Sequence, residues 1–152
     1  MSKKITQHLN PTWAEKANFI IMSNLDDSNI EVEKEQLWAR QISTNKFEIC
    51  CIPFFIYDLS LGDEVETDKN FVIQRIIKES GQHTFRVWAK DTPNEIRLEI
   101  TNYLSDNNYL YEWYSENLFG ISAMDKSSAK SLSNYLEEQE RNGYLVYEIG
   151  KS

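Results

Sequence analysis

Along the chain, short apolar runs of strand length alternate with polar turns, and only two stretches carry the three- and four-residue spacing of a helix. The first β-rich run is Asn18-Phe-Ile-Ile-Met-Ser. Leu37-Trp-Ala-Arg-Gln-Ile, the turn Ser43-Thr-Asn-Lys and Phe47-Glu-Ile-Cys-Cys-Ile read as a hairpin whose second strand ends at Pro53. Gly62-Asp-Glu-Val-Glu-Thr, Phe71-Val-Ile-Gln-Arg-Ile-Ile and Thr84-Phe-Arg-Val-Trp-Ala-Lys follow, parted by turns at Asp68-Lys-Asn and Ser80-Gly-Gln-His. Strands this short and this closely spaced predict a strongly bent sheet, either a β-meander or a partial barrel.

The pattern changes after residue 90. Thr92-Pro93-Asn94-Glu95 has the order of a capping box with Pro at the first helical position, and Ile96, Ile100, Tyr103 and Leu104 then share one face. A helix over about 93–105 is expected. A second, over about 127–142, puts Ala129, Leu132, Tyr135 and Leu136 on one face, takes its cap from Asp125–Ser128 and stops at Gly143. With strands over 84–89, 109–115, 118–124 and 144–149, the order is β-α-β-β-α-β. The fold class is therefore α+β: an N-terminal β-meander or partial barrel fused to a ferredoxin-like βαββαβ half. Residues 1–16 are polar and read as a flexible arm ahead of a single domain at 17–152, divided into a β-rich half (17–82) and a βαββαβ half (83–152).

Charge narrows the partner. Sixteen Lys and Arg against 24 Asp and Glu leave a net charge of −8, the wrong sign for a phosphate backbone, so nucleic acid is excluded and a basic partner is favoured. With 41% hydrophobic residues, 5 Gly and 3 Pro the chain has the composition of a folded protein. It contains no apolar run of the roughly 18 residues a membrane span needs, and its first residues lack the apolar stretch of a signal peptide, so no membrane and a cytoplasmic location are expected.

Candidate chemistry is thin. Glu64 and Glu66 lie two apart on a strand, about 7 Å at the backbone, a spacing common to any such acidic pair. Glu112 and Glu116 are too far apart on an extended strand to share a proton, and both read as an exposed strand face. His83 reads as a turn residue. No nucleophile elbow, phosphate loop or zinc-protease motif is present. Cys50 and Cys51 are adjacent, so they point to opposite faces and cannot form an ordinary bridge. They read as small buried apolar residues, and His8 and His83 lie too far along the chain to complete a zinc site with them. No catalytic, cofactor or metal residue is assigned.

The densest feature is Tyr109-Leu-Tyr-Glu-Trp-Tyr, which on a strand sends Tyr109, Tyr111 and Trp113 to one face and Leu110, Glu112 and Tyr114 to the other. Aromatic groups beside carboxylates suit a hot spot for a basic protein. The acids cluster at 24–35, read as a solvated loop or edge, and again around 58–68. The candidate partner surface is Asp26, Asp27, Glu31, Glu33, Asp63, Glu64 and Glu66, with Tyr111 or Trp113 as anchor.

Leu37-Trp-Ala, Pro53-Phe54 after the second strand, Gly62-Asp63-Glu64-Val65, Ser80-Gly81 and Thr84-Phe-Arg-Val, in this order, resemble a bacterial family of unknown function, domain family 4265, over residues 35–149. The resemblance implies a fold type more than a reaction. In size, acidity and lack of catalytic motifs the chain also looks like the immunity proteins of contact-dependent inhibition and other polymorphic toxin systems. The leading expectation is accordingly a cytoplasmic protein that binds and neutralises a basic toxin domain and is not an enzyme. The alternative is a small enzyme or ligand-binding domain with a pocket between the halves, drawing on Trp38, His83 and Trp88.

Overall fold

A computed structural model describes residues 4–25 and 32–152. In the first half, β1 (Lys4–Thr6), β2 (Phe19–Asn24), β3 (Val32–Ser43), β4 (Lys46–Ile49), β5 (Glu64–Thr67) and β6 (Ile73–Lys78) form one sheet. The twelve-residue β3 is its spine. β1 runs parallel to its beginning, β4 antiparallel to its end, and β2 antiparallel along its other edge. A parallel bridge between Met22 and Val72, with the Met22 N–H donating to the Phe71 carbonyl at 2.9 Å, brings β2 back against the far end of the meander. The sheet thereby curls around Ile21, Leu37, Ala39, Phe47, Ile49, Cys51, Leu59 and Val65, the partial barrel expected from short bent strands.

The second half contains β7 (His83–Trp88), α1 (Asn94–Asp106), β8 (Leu110–Trp113), β9 (Leu118–Ala123), α2 (Lys126–Arg141) and β10 (Val146–Lys151). Its antiparallel sheet has the order β10-β7-β9-β8, the ferredoxin-like arrangement. Both helices pack on one face. Ile100 and Leu104 from α1, and Ala129, Leu132 and Leu136 from α2, meet Phe85, Val87, Phe119 and Ile121 there. Asp125 caps α2 by accepting the Ser128 N–H at 2.8 Å. Gly143, at φ +81°, ends it.

The other face of this sheet packs against the crossing segment 50–62. A Cβ at Gly120 would lie 2.8 Å from Ile52 Cγ2, so the close approach of strand and segment requires glycine. Cys51 and Leu59 of the same segment belong to the barrel core, so one stretch of chain is shared by both halves.

Three expectations change. Residues 4–16 do not behave as a loose arm: they carry β1, bury His8 and Pro11, and the Trp13 N–H donates to the Cys50 carbonyl at 3.0 Å. The acidic lead-in is partly strand, because β3 begins at Val32 and Glu35 points inward. No capping box forms at α1. Pro93 occupies the N-cap position without a side-chain cap, and the Thr92 hydroxyl donates instead to the Tyr144 carbonyl.

Candidate functional site

The main cluster of titratable groups lies at the joint between the halves, on residues from four separate parts of the chain. His8 follows β1, Glu35 is on β3, Cys51 lies near the start of the crossing segment and Glu112 is on β8. Each faces inward for a local reason. Glu35 shares a strand face with Leu37 and Ala39, and Glu112 pairs across to Gly120, whose missing side chain leaves room for the crossing segment. The sequence reading of Glu112 as an exposed strand face is therefore corrected: the residue is only 4% exposed.

His8 bridges the two carboxylates. Its Nε2 lies 2.7 Å from Glu35 Oε2 and its Nδ1 2.9 Å from Glu112 Oε1, while the ring stacks on Phe54 at 4.3 Å. The remaining carboxylate lone pairs hold the backbone of the crossing segment. Phe54 N–H donates to Glu35 Oε2 at 2.8 Å, and Phe55 and Ile56 N–H each donate to Glu35 Oε1 at 3.0 Å. Glu112 Oε2 accepts from the Ile52 N–H and from the N–H and hydroxyl of Thr12.

Burial opposes charge on the imidazole, but neighbouring Cys51 and the hydrogen bonds to Glu112 and Glu35 outweigh it and hold His8 well above 6.5. Burial likewise pushes the Cys51 thiol up, opposed by His8 beside it. For Glu35, burial is again opposed, here by His8 and the Phe54 and Ile56 N–H groups, which bring it below 4.5. His8 thus adds stability that is complete below about pH 6.5 and declines as pH rises toward its folded value. Glu35 adds stability present above about pH 4.5 and lost as pH falls. Urea denaturation across pH is expected to show maximal stability between about pH 4.5 and 6.5, with His8→Gln flattening the alkaline limb.

Chemically, the arrangement is a clamp. Both ring nitrogens of His8 are committed to carboxylates, so neither is free to take a proton from a substrate. Cys50 is pushed up to about 11, chiefly by burial and then by Glu48 and Cys51. Neither thiol has the thiolate character a nucleophile needs. Both should resist a thiol-modifying disulfide reagent in the native protein and react only on denaturation. Cys51 does lie beside a histidine, contrary to the expectation from chain distance, yet these groups form no metal-holding set among the described residues.

The residues expected to face a partner are scattered. Asp26, Asp27 and Glu31 lie outside the described residues, and Glu33 is exposed on β3. Asp63 is corrected from surface to interior: its carboxylate accepts the N–H groups of Ser60 (2.9 Å) and Ser80 (2.8 Å) and the Lys151 ammonium (2.9 Å). Glu64 and Glu66 face cross-strand cations, Lys78 at 3.8 Å and Arg75 at 3.0 Å. Tyr111 packs on the helix-side core. Trp113 is 37% exposed, rests on Phe119 and borders a shallow groove with Lys90, Arg97 and Glu116, so its surroundings carry both signs of charge and none of the other expected partner-facing acids. Of the residues suggested for an enzyme pocket, Trp38 lines a groove with Ala17–Ile20, whereas His83 and Trp88 stand at opposite ends of β7, about 17 Å apart along the strand.

The model of the family described as "Domain of unknown function (DUF4265)" matches residues 35–147. No curated protein matches. A solved structure titled "Novel crystal structure of a hypothetical protein from Neisseria gonorrhoeae" superposes with a TM-score of 0.72 at 20% identity, covering 88% of this chain and 96% of the other. At that identity the likeness concerns the fold.

Proposed function

The chain belongs to the family Domain of unknown function (DUF4265), and from that premise we propose that it is an immunity protein, one that occludes a basic toxin domain and performs no chemistry of its own. The observation carrying this reading is the net charge of −8, most of which burial leaves uncompensated. Arg86 and Lys151 are buried, Arg97 donates to the Ala89, Thr92 and Glu116 carbonyls, and Lys16, Arg40 and Arg75 pair with glutamates. Glu95, Glu99, Asp106, Glu116, Glu137 and Glu138 are exposed without a cationic partner among the described residues. Lys46, Lys69, Lys90, Lys126, Lys130 and Arg141 are likewise exposed without an acidic partner among the described residues, and the buried charges, Glu35, Asp63 and Glu112 against Arg86 and Lys151, nearly cancel. The net charge of −8 is thus hardly changed by burial, which favours fast, steered association with a cationic protein.

The buried His8 clamp supports the same reading, since its titratable groups are used to join elements. The test is co-expression with the product of the adjacent reading frame. The reading requires a stoichiometric complex and rescue of growth when that product is toxic. Rescue without a complex, or no complex at all, overturns it.

A further inference from the structure

Helix α1 turns a stripe of side chains away from its sheet: Glu95, Leu98, Glu99 and Asn102 are all exposed, Leu98 by 61%. Beside the stripe, in the seam with α2, Tyr103 and Tyr135 stack with ring centroids 3.6 Å apart and planes 6° from parallel. Glu99 stands one turn before Tyr103, and Glu138 one turn after Tyr135. Both carboxylates act on the Tyr135 phenol, which is pushed up to about 12 by burial first, then by Tyr103, Glu99 and Glu138. No described Lys or Arg pairs with either glutamate. The helix face therefore combines an exposed aliphatic group, a pre-stacked aromatic pair and two carboxylates of the same sign.

Resting on the binding-protein reading, we propose that the outward face of α1 and its seam with α2 dock a basic segment of the partner protein. An arginine or lysine of that segment lies against the Tyr103–Tyr135 pair between Glu99 and Glu138, and an apolar neighbour covers Leu98. Charge complementarity selects this occupant. A cation is attracted both by the carboxylates and by an aromatic face, and the stacked tyrosines are already held in place, so little side-chain freedom is lost on docking. Glu64 and Glu66, by contrast, already face cations of their own chain.

The test uses the full chain and a hexa-arginine peptide at low salt, read by calorimetry and by the tyrosine ring resonances. Glu99→Gln with Glu138→Gln is expected to weaken binding by about tenfold or more, against about twofold or less for the charge-matched pair Glu64→Gln with Glu66→Gln. The Tyr103 and Tyr135 resonances should shift on titration. Equal losses from the two double variants, or tyrosine resonances that do not move, would overturn the proposal. The peptide assay needs no toxin, so its failure counts against this surface alone, whereas co-purification decides the broader reading.

Discussion

His8→Ala is expected to lower the stability of the folded chain by about 3–5 kcal/mol, the range for removing one partner of a buried ion pair. Its effect reaches far beyond residue 8. Glu35 and Glu112 would be left as two buried carboxylates facing one another without a cation. They cannot simply turn to water, because both also hold backbone N–H groups of the crossing segment. His8→Gln keeps a donor but no charge, and should cost less. Denaturant unfolding of the two variants near pH 6 measures the difference. A loss below about 0.5 kcal/mol, as for an ordinary surface substitution, would mean that the arm is not docked as described.

Asp63→Ala should be the other severe substitution, costing about 2–5 kcal/mol from two orphaned N–H groups and a lost charged partner. The Ser60 and Ser80 N–H groups both donate to this carboxylate, and Lys151 brings the end of β10 to it. Lys151 would retain Glu79 at 3.0 Å, which limits the loss. If Asp63 were a partner-facing acid, the same substitution would change binding and leave thermal unfolding nearly unaltered. The predicted outcome is a large drop in melting temperature.

These two residues also show where the sequence was legible. The helices, the βαββαβ order and the bent first sheet follow from local periodicity and turn chemistry, and they fold within a few residues of the expected bounds. The His8 clamp depends on partners 27 and 104 residues away, and a lone histidine in a polar lead-in has no local signal of burial. Glu35 offered a weak one, since it continues the alternation of Leu37 and Ala39. Asp63 sits in a run of acids that reads as surface, although an Asp beside a turn-forming Gly can equally bond backbone amides. Linear charge clustering misled because β5 meets the cations of β6 across the sheet.

In the immunity-protein reading, the acidic exterior recognises a basic protein. Stopped-flow association with the product of the adjacent reading frame, over a series of ionic strengths, tests it most directly. The predicted result is an association rate that falls about tenfold or more between low and high salt, while the dissociation rate changes little. A rate indifferent to salt, or no association at the lowest ionic strength, would contradict the claim.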